Sequence, residues 1–299
     1  MINDAGWSNA IGKTQFDVVM RDVAADKYWD YESIYGSGKQ TNEHQLKQLI
    51  YSGMPLPHAR SYGEDIVSQD MEELGTATLT DSELALGTDI DRVFIEDNRN
   101  IPGFLNKLAT SMGESFGQAK CYYASLPFIR AFSSTYQALW DTGALCASRT
   151  LASGDTYSNT LGSMSVSFST SWDLRDKIAY QQFSQKYLRR PSTAKIHLVH
   201  NSQMRKMEKI YGQEYEPDTM TRNRNTLNGM GIKVVYNPDI TSTYQFMLGK
   251  RALKNFIYWI HKPPTTEWEE HARNRTKSCF VHMRILFGVL DFDDVVGAQ

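Results

Sequence analysis

The sequence predicts an α+β protein whose subunit is not self-contained, and three observations predict it. Residues 101–125 carry one long apolar stripe at helical spacing. From residue 195 onward, short apolar strands alternate with amphipathic helical stretches. Residues 54–95 read as extended acidic chain with partial period-two alternation and no core of their own. A thin hairpin of that kind is marginal alone and needs a surface to lie on.

Composition narrows the function classes. A chain of 299 residues, 41% hydrophobic and 22% charged, has ample material for a core. The net charge of -2 lacks the basic excess of a dedicated DNA-binding domain. Three separated cysteines, Cys121, Cys146 and Cys279, suit neither a disulfide framework nor a zinc cluster, and fit a reducing compartment. The opening "MINDAGWSNA" has no basic or apolar leader pattern, and no apolar run approaches the ~20 residues that span a bilayer.

In chain order, residues 1–53 read as an arm of irregular apolar spacing, with a short helix near "NEHQLKQLIYSG". Residues 54–95 read as a two-stranded ribbon. The long helix starts near Asn100-Pro102, turns Ile101, Leu105, Leu108, Met112, Phe116, Ala119 and Tyr123 to one side, and ends at Pro127. A polar connector follows, "ALCASRTLASGDTYSNTL". "STSWDLRDKIAYQQFSQKY" is a helix capped near Ser171, with Trp172, Leu174, Ile178 and Phe183 inward. "KIHLVH" is a strand, and Ser202 caps the helix "QMRKMEKIY", which stops at Gly212. Further strands are expected in "GIKVVYNPDI", "YQFMLGK" and "NFIYWIHK". The polar stretch "PPTTEWEEHARNRTK" separates these from a last strand, where Cys279, Val281, Met283 and Ile285 share a face and Gly288 marks a bulge.

This order of parts resembles the major capsid proteins of tailed bacteriophages, the Hong Kong 97-type fold, and in particular the Mu-like head-protein branch. The resemblance rests on "ALGTDIDRVFIEDN" entering the long helix, on the connector, and on the terminal "GVLDFDDV". The connector is similar to the family pattern PLxSxxHPxxGGxxSN at Leu145, Ser148, Gly154, Ser158 and Asn159, and departs from it with Thr150-Leu151 in place of His-Pro. The resemblance implies an N-terminal arm over 1–53, an E-loop over 54–95, a P-domain with its spine helix over 96–165 and 263–299, and a central A-domain over 166–262. It implies self-assembly into pentamers and hexamers of an icosahedral head around double-stranded DNA. Scaffolding and portal proteins are the expected partners; no membrane is expected, and the location is the virion, assembled in the host bacterial cytoplasm.

Motifs that invite an enzyme reading each fall short. "GWSNAIGKT" has its glycines one residue too far apart for a phosphate loop, and "YGSGKQ" lacks the first glycine and the hydroxyl after Lys39. His197 and His200, three apart on a strand, point to opposite faces. Glu267 and His271 read as a solvated helix face. Cys146 or Ser148 would need a base within reach, and no histidine lies between His58 and His197. The connector therefore reads as a brace whose polar groups bond its own backbone. No catalytic residue, cofactor or metal is expected.

Charge is distributed unevenly. Residues 54–95 hold nine acidic and two basic residues, a balance of −7, whereas residues 186–284 hold eighteen basic and eight acidic, a balance of +10. The expectation is that the ribbon of one subunit lies on basic surface of the next, with Glu64, Asp65, Asp70, Glu72, Glu73 and Arg92 as contact residues. Some relatives join a ribbon lysine covalently to a neighbour; residues 54–95 contain no lysine, so no such crosslink is expected. The alternatives left open are an encapsulin-like nanocompartment shell, a phage tail or head-completion protein, and a cytosolic hydrolase using Cys146 or Ser148.

Overall fold

The computed structural model describes residues 10–36, 39–40, 43–51, 73–91, 101–133, 139, 141, 143–150, 156–180, 192–217, 223–271 and 276–299. Its elements in chain order are α1 (Ala10–Ala24), α2 (Glu32–Tyr35), β1 (Lys39–Gln40), β2 (Gln45–Tyr51), β3 (Glu73–Thr80), β4 (Ser82–Asp91) and α3 (Ile101–Ile129). There follow β5 (Ser148–Thr150), β6 (Thr156–Ser158), α4 (Phe168–Tyr180), β7 (Ala194–His200), α5 (Met204–Gly212), β8 (Lys233–Asn237) and β9 (Gln245–Gly249). The chain closes with α6 (Ala252–Asn255), β10 (Phe256–His271), β11 (Thr276–Val289) and β12 (Val295–Ala298).

The long helix forms as its spacing predicts, 29 residues and so about 43 Å from end to end. It runs through Pro127 rather than ending there, because a proline near a helix end removes only one backbone bond. Met112 and Phe116 are buried as expected, but the buried stripe is carried onward by Ala109, Cys121, Ala124 and Phe128. Its first half packs on Cys279, Val281, Met283 and Ile285, the alternating face of β11.

Two four-stranded sheets frame the subunit. One has the order β1-β10-β11-β4 and the other β12-β9-β7-β8. A core of Phe128, Leu145, Tyr157, Ile196, Leu198, Phe246, Phe256, Val289 and Phe292 joins the second half of α3 to both sheets. On the second sheet, Leu174 and Ile178 of α4 cover Met247 and Val296, while Met207 and Ile210 of α5 pack with Val199 and Leu227.

Several expectations are corrected. The stretch read as a helix near residue 45 is strand β2, paired antiparallel with β3 through Leu46↔Leu79, Lys47↔Thr78 and Leu49↔Thr76. Cross-strand packing outweighs local propensity here. The two extended segments of 54–95 therefore do not pair with each other: β3 joins β2, while β4 joins β11 in the body. The polar stretch from Pro263 is strand as far as His271, so Glu267 and His271 lie on a strand and not on a helix. The two prolines sit where the register of β10 against β11 breaks, which tolerates their missing N–H groups. Gly288 is not a bulge, since it pairs in register with Ile257. A Cβ there would meet the Leu79 side chain at 2.6 Å, so the glycine makes room for the ribbon.

The helix α4 begins at Phe168, and its cap is Ser167, whose Oγ accepts from Thr170 N at 3.1 Å, rather than Ser171. Phe183 lies outside the described residues. A 3-10 turn at Asn201–Gln203 precedes α5, and its cap is the His200 ring, which accepts from Ser202 N at 3.0 Å. The segment read as an arm packs on the chain's own body over its described part. Phe16, Met20 and Ala24 recur every four residues and bury against α3 and β11.

Candidate assembly surfaces

Among the described residues, the ribbon β2–β3 is anchored at one end. Ala77 and Leu79 pack with Leu286 and Leu290 on the face of the first sheet opposite the long helix, and Gly288 admits Leu79. Away from that anchor, Leu49 and Tyr51 on β2 stand exposed at 44% and 49%. A thinly supported ribbon with exposed apolar side chains, its strand edges unpaired among the described residues, is a surface suited to a partner.

Of the expected contact residues, Glu64, Asp65, Asp70, Glu72 and Arg92 lie outside the described residues. Glu73 opens β3 and is exposed, opposite Tyr51 at an irregularity in the register. The acidic run divides in a way its sequence does not announce. Glu83 and Asp89 sit on β4 and bond the subunit's own sheet: Arg284 donates to Glu83 at 3.1 Å, and Ser278 to Asp89 at 2.5 Å. The Arg284 guanidinium holds the Glu83 carboxyl below its usual range. On the basic side, Lys233 pairs with Asp30 at 2.6 Å, so part of that excess also serves within the subunit.

The connector is tied at both ends. Cys146 N donates to Ala131 O at 2.7 Å, where α3 ends. The buried Asn159 side chain accepts from Ala147 N at 2.7 Å and donates to Leu145 O at 2.8 Å. Its backbone accepts from Gly297 N at 3.0 Å, and Leu161 N donates back to Gly297 O at 2.9 Å, joining the connector to β12. Lys177 of α4 donates to Thr160 O at 2.7 Å. Arg149 bonds Asp141 at 2.5 Å and lies 3.8 Å over the Phe292 ring.

That geometry argues against a nucleophile. The Cys146 thiol is buried against Gly297, whose Cβ would meet its sulfur at 2.7 Å, and burial pushes its pKa up to about 12. Ser148 is exposed at the start of the β5–β6 hairpin. His197 is fully buried on β7, its Nδ1 2.8 Å from the Tyr211 hydroxyl, while His200 turns to Ser202, so the two serve separate environments.

Two features escaped sequence reasoning. Gly113 and Gly117 on α3 form a notch for α1 and the turn after it: a Cβ at Gly113 would meet Met20 O at 2.8 Å, and one at Gly117 would meet Asp26 O at 3.0 Å. The four-residue glycine spacing was the available signal. The second feature is a buried knot at the end of the chain. Asp294, at φ 61°, accepts from Arg251 Nη2 at 2.9 Å and Nε at 3.1 Å, from Arg251 N at 3.1 Å, and from the Ser192 hydroxyl. A paired acid inside "GVLDFDDV" was its trace in the sequence.

No family model and no curated protein matches the chain. Solved structures do. The capsid structure of the cyanophage P-SCSP1u aligns with TM-score 0.57 at 10% identity over 91% of this chain and 88% of that one. The virus-like particle from Pyrococcus furiosus aligns with TM-score 0.54 at 8% identity over 96% and 98%. The capsid of an empty GTA particle aligns with TM-score 0.51 at 10% identity over 89% and 88%. Likeness over nearly the full length of both chains, with almost no shared sequence, shows a common architecture: the chain has the mixed α+β fold of a capsid shell subunit.

Proposed function

We propose that this chain is a major capsid protein of a tailed bacteriophage, of the Hong Kong 97 type and the Mu-like branch. It assembles into pentamers and hexamers of an icosahedral head enclosing double-stranded DNA, with scaffolding and portal proteins as partners and no catalytic activity. The observation that carries the reading is the ribbon, which among the described residues packs on its own sheet through Ala77 and Leu79 and exposes Leu49 and Tyr51 beyond them. In this reading α3 is the spine helix, 54–95 the E-loop with its base strands reaching back to residue 45, and 166–262 the A-domain. Many modest contacts repeated by symmetry hold such a wall together.

The test is the behaviour of the full chain expressed alone, followed by size-exclusion with light scattering and by negative-stain microscopy. Capsomers or megadalton shells are expected. A monodisperse monomer at high concentration overturns the reading.

A second reading is a nanocompartment shell, favoured by full-length alignment to the Pyrococcus furiosus particle. The contents of particles purified from the native source separate the two. Packaged double-stranded DNA supports a phage head, and a protein cargo supports a nanocompartment.

A further inference from the structure

We propose that the foot of the ribbon is a site for one divalent transition-metal ion, held by His44, Asp81 and His261. The three come from separate parts of the chain. His44 precedes β2, Asp81 is the single residue between β3 and β4, and His261 lies on β10. Their donor atoms all lie within 4.8 Å of one another. His44 Nδ1 contacts one carboxylate oxygen of Asp81, and His261 Nδ1 lies 3.0 Å from the other.

Two further observations point to a ligand. The Asp81 side chain is 3% exposed, yet among the described residues its Oδ2 has no hydrogen-bond partner, and neither has the buried His261 Nδ1 facing it. Contact at 3.0 Å without hydrogen-bond alignment leaves two buried polar atoms aimed at the same space, which is costly unless a third group satisfies them. Also, His261 sits where the register of β10 slips, between Ile260↔Ile285 and Lys262↔Arg284. Such an irregularity re-aims a side chain, and here it turns an imidazole toward Asp81. Asp81 N donates to His44 O at 3.2 Å, which holds two of the three donors together through the backbone.

Two imidazole nitrogens and a carboxylate form a donor set suited to zinc and its neighbours. Donors about 2.1 Å from zinc stand about 3.4 Å apart in a tetrahedron, so side-chain movements of about 1 Å close the site. The His44 side chain is 65% exposed, which leaves one side open to water or another donor. A bound ion would pin the angle at which the ribbon leaves the body. The site belongs to one subunit, so it stands or falls separately from the shell reading.

The full-length chain, stripped by dialysis against a chelator, is titrated with Zn²⁺ by calorimetry and with Co²⁺ by visible absorption. One equivalent per subunit is expected, with His44→Gln weakening it about tenfold or more and His200→Gln leaving it unchanged. Because His44 is exposed, its variant keeps the fold; His261→Gln and Asp81→Asn, checked by circular dichroism, are expected to abolish uptake. Absence of stoichiometric binding by the folded wild type, or binding indifferent to His44→Gln, overturns the proposal.

Discussion

At the scale of single residues, the buried polar groups decide most. His197 is fully enclosed, and burial holds its pKa down from 6.5 to about 3. Below pH 6.5 the unfolded chain takes up a proton that the folded chain refuses until about pH 3. The stabilising contribution is therefore present above pH 6.5 and lost as pH falls through that window. Melting temperature measured between pH 7 and about 4 should drop more steeply in the wild type than in His197→Gln. Asn159 is the second case. Asn159→Ala leaves Ala147 N–H and Leu145 C=O without their partner, at a cost of about 3 kcal/mol, to be read from denaturant unfolding of dissociated subunits. Asn159 was nameable from the connector's likeness to a known pattern, and its bonding of the connector's own backbone was legible too; its backbone tie to β12 was not. That tie runs to Gly297, far away in sequence.

At the scale of elements, strand β11 was readable because Cys279, Val281, Met283 and Ile285 alternate without interruption, and the long helix because its stripe spans several turns. Helix α1 carried its signal too, at Phe16, Met20 and Ala24, but a stripe one residue wide is easily read as irregular. Strand β2 was hidden for a different reason: its polar and apolar residues fit a helix equally well, and only pairing with β3 selects the strand. The ribbon's anchor gives a test at this scale. Gly288→Val should push Leu79 off the sheet and cost about 1–3 kcal/mol. Combining it with Leu79→Ala should recover part of that loss, and the double-mutant cycle should show coupling of at least about 0.5 kcal/mol. Strict additivity would mean that the two residues do not meet.

At the scale of the whole molecule, charge and topology meet. The acidic stretch 54–95 has two destinations, since β4 is built into the subunit's own sheet while Glu73 stands on the ribbon. In the proposed shell, any charge complementarity between subunits would therefore rest on the ribbon's share. Reversing Glu72 and Glu73 to lysine should slow assembly and alter its salt dependence, followed by light scattering. Unchanged assembly would reduce the acidic run to a matter of solubility. Mature particles should run as single chains on a denaturing gel, since the stretch holds no lysine to donate.

The glycine notch on the long helix has a mechanical corollary. With Gly113 and Gly117 admitting the backbone of α1 and of the turn after it, the two helices pack closely along that face. The amino-terminal segment is therefore geared to the bar beneath it. Any tilt of that bar would carry α1 along, and a fluorophore at the exposed Val18 position would report the swing.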